Sequence, residues 1–332
     1  MAADDVFAAK AAWEATIFRR ANVVGLAVGN RWVAGQETEE RCILVFVDRK
    51  WSERDLRTRD VVPKSIQGVR TDVIETGRFR ALEVVQSLDG DRTRRVRPAT
   101  GGVSLGHYRI TAGTLGVVAQ RNGRPVILSN NHVLANSNQA KLGDPILQPG
   151  PADGGRLQDA IARLAEFVPI QFTEQSVGWG GRFLERIVAP LLRVFGYGVK
   201  RLPSEATNRV DAAVAVPIDE SLVSRNVVGI SPVSGTAEAR IGMRVRKSGR
   251  TTGVTNGKVT GVDAVVQVDY GGKSAIFRGQ IVADVPSQGG DSGSLVVDDR
   301  GRAIGLLFAG SASTTLINPI GAISELLDIV IG

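Results

Sequence analysis

Apolar positions recur along this chain with two different periods. Residues 4–21 set Val6, Phe7, Ala11, Trp13, Ile17 and Phe18 at helical spacing, with Asp4 or Asp5 as a cap. Asn22-Val-Val-Gly-Leu-Ala-Val-Gly and Cys42-Ile-Leu-Val-Phe-Val-Asp48 then form two apolar runs around a polar turn at 35–40, which predicts a β-hairpin. A further strand is expected over 68–75. Residues 1–90 therefore predict a small α+β domain. Its Trp13, Trp32 and Trp51 are expected in the core or at an interface.

The pattern changes after a basic stretch at 90–98, which holds Arg92, Arg94, Arg95 and Arg97 between a glycine and a proline. It reads as a solvated linker, so residues 1–98 are taken as one unit and 99–332 as another. In the second unit short apolar runs alternate with turn residues, the mark of a mainly β chain. Asn122-Gly123 predicts a hairpin between 108–120 and 125–132. Turns are expected at Thr252-Gly253 and Asn256-Gly257. Strands follow at 264–268, 275–277, 280–283 and 303–310, and a closing helix at 319–331 carries Ile323, Leu326, Leu327 and Val330. Residues 165–207 read as an insertion. Within it Phe183, Leu184, Ile187, Val188, Leu191 and Leu192 share one helical face, which Pro190 would interrupt.

Composition narrows the function classes. The 332 residues are 43% hydrophobic, enough for a sizeable core, and the net charge is +7. That charge alone does not argue for nucleic acid, and no zinc spacing or aromatic RNA-binding motif adds to it. Asp144, Asp153 and Asp159 fit neither an EF-hand nor a zinc pattern and are expected in surface turns. No metal or cofactor is expected. The single cysteine, Cys42, rules out an intrachain disulfide. The start Met-Ala-Ala-Asp-Asp lacks a basic or apolar leader region, and no run of about 18 apolar residues would span a bilayer. A cytoplasmic location is the expectation.

The candidate chemistry centres on Gln288-Gly-Gly-Asp-Ser292-Gly-Ser294. A serine hydroxyl needs a base beside it and donors facing the developing oxyanion. A glycine-rich loop of this kind would turn the amides of Gly290 and Ser292 toward one point. Upstream lie Ser-Asn-Asn-His132-Val-Leu and Asn-Arg-Val-Asp211-Ala-Ala-Val. An aspartate inside an apolar run is costly to bury unless paired, and a histidine ring nitrogen would supply the partner.

The order His132, Asp211, Ser292 and the residues around each resemble the trypsin/chymotrypsin-like serine proteases over roughly residues 100–332. The resemblance implies a chymotrypsin-like double β-barrel, a triad of His132, Asp211 and Ser292, and an oxyanion hole at Gly290 and Ser292. It places the floor of the substrate pocket at Pro286 and its wall at Phe308, Ala309 and Gly310. No acid stands at that floor, so cleavage would follow a small or medium apolar residue unless Asp284 points in. Two departures stand out. Disulfides are absent, and no Ile-Val-Gly-Gly-like start supplies an amine to pair with Asp291, leaving Arg246, Lys247 and Arg250 as candidates. The implied partner is a protein or peptide substrate. Residues 1–98 or the 180–195 helix would engage a second copy or another protein. The rival reading is a catalytically latent, protease-like binding module.

Overall fold

The computed structural model describes residues 3–81, 90–173 and 207–332, with side chains from residue 5. The 180–195 helix lies outside these residues. The chain opens with helix α1 (Ala3–Phe18), whose Val6, Ala9, Trp13, Ile17 and Phe18 face inward while Phe7 and Ala11 turn out. Strands β1 (Val23–Val33) and β2 (Gln36–Val47) form the predicted hairpin, turning at Ala34 and Gly35, both of positive φ. Short β3 (Ser65–Ile66) and β4 (Val69–Glu75) follow, and β4 runs parallel to β2. The single Cys42 is fully buried on β2. Trp32 and Trp51 are 40% and 52% exposed rather than in the core. Each lies under a cation instead, Lys258 at 5.7 Å and Arg49 at 5.3 Å.

Two-residue β5 (Phe79–Arg80) precedes a one-turn helix, α2 (Gly90–Thr93). The stretch beyond is not a solvated linker throughout. Arg92 is buried and donates to the carbonyl of Gly102 and the hydroxyl of Ser248, and Arg97 donates to Gln148. Their guanidinium forks find buried carbonyls to satisfy them, while Arg94 and Arg95 stay in solvent.

The next unit is a seven-stranded sheet in the order β8-β7-β11-β12-β13-β10-β9. Its strands are β7 (Ser104–His107), β8 (Gly113–Thr114), β9 (Val117–Arg121), β10 (Arg124–Ser129), β11 (Pro145–Leu147), β12 (Ala160–Phe167) and β13 (Ala213–Pro217), preceded by β6 (Ala99–Gly101). The edge strands β8 and β9 are consecutive in the chain, which brings the ends of the sheet together. Asn122 and Gly123 make the predicted β9–β10 turn. Inside are Leu105, Leu115, Ile127, Ile146, Ile161 and Leu164.

After β14 (Val223–Val227), which pairs with β6, a second barrel closes completely. It comprises β15 (Arg244–Gly249), β16 (Gly253–Asp269), β17 (Ser274–Ala283), β18 (Leu295–Asp298), β19 (Ala303–Gly310) and β20 (Thr315–Pro319). The order β15-β18-β19-β20-β17-β16 returns to β15 through a further β15–β16 pairing. Val245, Val259, Ile281, Val296, Leu307 and Ile317 fill it. The chain is thus mainly β, a chymotrypsin-like double barrel with an N-terminal α+β portion. A C-terminal helix, α3 (Ile320–Leu327), follows β20 directly.

Two details differ from expectation. Asn256-Gly257 makes no turn, because β16 runs straight through it and Gly257 pairs with Val245. The glycine is there for close approach: a Cβ would meet the backbone nitrogen of Val285 at 2.8 Å. The sheet of the N-terminal portion is also not separate. β1 pairs antiparallel with β16, so strands of both portions form one 11-stranded sheet. Among the described residues, no helix is long and apolar enough to cross a membrane.

Candidate active site

His132 sits in a single helical turn, Asn131–Leu134, directly after β10. The pairing of β10 with β13 sets the end of one beside the start of the other, where Asp211 lies. Asp211 is wholly buried, and its backbone amide donates to the Asn318 side chain at 2.9 Å while its carbonyl accepts from Asn130 at 2.7 Å. His132 Nδ1 stands 2.6 Å from Asp211 Oδ2, and the His132 amide donates to Oδ1 at 3.2 Å. A carboxylate only accepts, so Nδ1 carries the proton and Nε2 is left with its lone pair. A second donor reaches the same Oδ2: the Tyr270 hydroxyl, at 2.8 Å. Burial, and then the Asp211 charge, hold the Tyr270 phenol well above its ordinary value.

Ser292 lies on the loop between β17 and β18, itself 2% exposed. Gly290 and Gly293 have φ of 97° and 93°. The loop is lodged against the first barrel, since the Ser292 carbonyl accepts from the Thr114 amide at 2.8 Å and the Gly290 carbonyl from the Thr114 hydroxyl at 2.8 Å. At Gly113 a Cβ would meet both the Val133 side chain and, at 3.1 Å, the Ser292 carbonyl, so Ser292 and the His132 turn flank one glycine. Ser292 Oγ and His132 Nε2 are both buried with no hydrogen-bond partner.

The acid before the serine is held from within the barrel. Asp291 accepts from the amides of Thr251, Thr252 and Gln288 and from the Thr252 hydroxyl. Of the three basic candidates, Lys247 faces it, with Nζ 3.4 Å from Oδ2 and both side chains fully buried. Burial pushes the Lys247 ammonium down, and the Asp291 charge offsets part of that. Arg250 pairs instead with Asp153, which sits in the short turn Pro151–Asp153 with its carboxylate largely covered. Arg246 makes no ion pair with Asp291 among the described residues.

The expected substrate wall is occupied in part. Phe308 and Ala309 are fully buried in a cluster with Phe79, Phe277 and Leu316, and the Phe277 and Phe308 rings are 4.8 Å apart. Gly310 pairs antiparallel with Arg80 of β5. The Pro286 carbonyl accepts from the Thr255 hydroxyl at 2.8 Å, and Asp284 accepts the Lys258 amide at 2.6 Å. Tyr270, Asn318 and Asn130 contact Asp211 but escape sequence reasoning. Asp269-Tyr-Gly-Gly272 reads only as a hairpin turn, and nothing along the chain ties it to residue 211.

Comparisons bear on both portions. A family described as the NARROW LEAF 1 N-terminal domain matches residues 5–75, which span α1 to β4. Serine protease 2 of Streptomyces fradiae is 39% identical over 84 residues, 25% of this chain and 40% of that one. Streptogrisin-A of Streptomyces griseus is 34% identical over 93 residues, 26% of this chain and 30% of that one. The chain thus spans well under half the length of these relatives. The crystal structure of Thermobifida fusca Protease A is similar at 16% identity and a TM-score of 0.44, covering 70% of this chain and 97% of that one. With its double barrel and its Streptomyces relatives, this chain is related to the bacterial trypsin/chymotrypsin-like serine proteases.

Proposed function

We propose that this chain is a serine endopeptidase working through His132, Asp211 and Ser292. The observation that carries this reading is the pair of buried, partnerless atoms, Ser292 Oγ and His132 Nε2, behind a histidine whose other nitrogen is bonded to Asp211. Buried polar atoms are normally satisfied, so two unsatisfied ones on these residues, not bonded to each other here, support this reading. In this reading Ser292 Oγ attacks a peptide carbonyl as its proton passes to His132 Nε2. The amides of Gly290 and Ser292 hold the oxyanion. His132 returns the proton to the leaving amine, and water then repeats the sequence on the acyl-enzyme. Residues 99–332 carry the chemistry, and residues 1–98 form the N-terminal unit. Pro286, Phe308, Ala309 and Gly310 are assigned to the substrate side, with Phe308 and Ala309 covered and Gly310 paired to β5 in this structure. Asp284 is taken up by Lys258, which supports a small or medium apolar residue before the cut.

A second reading, a latent protein-binding module, is favoured by the burial of Ser292 and by β5 lying on Gly310. A fluorophosphonate probe separates the two. Intact mass should show one covalent adduct on the wild type and none on Ser292→Ala, and peptide hydrolysis should fall on the order of 10⁴–10⁶-fold in that variant. Absence of an adduct on both proteins would favour the binding module.

A further inference from the structure

Tyr270 enters the site from an element that carries none of the three motif residues. It follows β16 directly, in the turn to β17, where its amide donates to the Lys273 carbonyl at 2.7 Å. Its ring is wedged among three aromatic neighbours. His132 lies edge-on at 5.9 Å, Phe172 edge-on at 5.6 Å and Phe277 at 6.2 Å. A ring so enclosed holds its hydroxyl in one place. That hydroxyl donates to Asp211 Oδ2 at 2.8 Å, the oxygen that also accepts from His132 Nδ1 at 2.6 Å. Asp211 has no exposure, so its charge is shared among protein donors alone in a low-dielectric setting where each counts for more.

We infer that Tyr270 is a positioning residue for the proposed reaction: it fixes the Asp211 carboxylate and sets how much negative charge faces the imidazolium formed at His132. The inference rests on the proposed function. The phenol is suited to the role because it stays protonated and therefore a donor at any working pH. Other charged groups on the neighbouring elements are turned elsewhere. Asp269 accepts the Gly272 amide, Lys273 sits over the Phe172 ring, and Arg209 pairs with Glu325.

The test compares wild type, Tyr270→Phe and a chain carrying 3-fluorotyrosine at position 270. The fluorophenol is a stronger donor of the same shape. The second-order rate of fluorophosphonate labelling is measured against pH, and the low-field proton resonance of His132 Nδ1 is recorded for each. Tyr270→Phe should slow labelling roughly 3- to 30-fold. It should also move the acidic limb of the profile to higher pH, because more of the Asp211 charge then favours the protonated imidazole. The fluorotyrosine chain should move that limb to lower pH, and the resonance should shift in opposite senses in the two variants. Coincident pH profiles and an unmoved resonance would overturn the inference while leaving the endopeptidase reading intact. A wild type that does not label at any pH would sink that reading, and the resonance alone would then decide the role of Tyr270. If Tyr270→Phe does not fold, the fluorotyrosine chain carries the test.

Discussion

Lys247 and Asp291 illustrate how one pair of residues can order a loop. Both are fully buried, and removing one partner of such a pair leaves an uncompensated charge, at a usual cost of about 3–5 kcal/mol. Asp291 keeps four other donors, so the lower end of that range applies. Lys247→Met should therefore lose about 3 kcal/mol in urea unfolding and should no longer label with fluorophosphonate. Unchanged stability would mean that the hydrogen bonds alone hold Asp291. The proposed trio of His132, Asp211 and Ser292 stands out in the sequence because each sits in a local motif, and the fold brings His132 onto Asp211. The choice of Lys247 over Arg246 and Arg250 was not legible there, because side chains alternate in direction along β15 and only the fold says which side faces Asp291. Tyr270 was hidden for a similar reason: its meaning comes wholly from a contact with a residue 59 positions away.

The elements were read best where turn chemistry is local. The β1–β2 and β9–β10 hairpins fall where Gly35 and Asn122-Gly123 put them. Asn256-Gly257 carries the same signal with another cause, since there the glycine admits the chain near Asp284 and Val285. Gly293 combines both demands. Its φ is 93°, and a Cβ would run into the Ser129 hydroxyl and the Thr114 carbonyl. Gly293→Ala should thus lose about 1–3 kcal/mol and pull the Ser292 loop off the first barrel. Gly257→Ala should lose a similar amount through β16 alone. Thermal melting would follow both, but labelling at Ser292 should vanish only in Gly293→Ala. Equal labelling of the two variants would contradict the docking role given to Gly293. The closing helix, Ile320–Leu327, follows the predicted apolar face but stops early, because Asp328 takes a left-handed conformation and Val330 then pairs with Gln120.

At the scale of the whole molecule, the boundary near residue 98 marks a change in sequence pattern more than a break in packing. The N-terminal portion extends the sheet of the second barrel through β1 and β16, and a buried Lys10 reaches across from α1 to Asp263. Parallel pairing of β2 with β4 and the reach of β5 to both β16 and β19 are long-range choices that periodicity does not encode. One residue at this junction has a practical consequence. Cys42 is the sole cysteine, has no exposure, and burial followed by the charges of Asp72 and Glu40 pushes its thiol up to about 12. A thiol in that state is inert until the strands around it part. Its reaction with a disulfide reagent therefore works as a clock for opening of the shared sheet, built into the natural chain without any introduced label. Modification should run roughly 10³-fold or more slower in buffer than in denaturant, and should quicken when Lys10→Met loosens the helix that covers the sheet. Rapid modification of the intact protein would show that the N-terminal strands come away on their own.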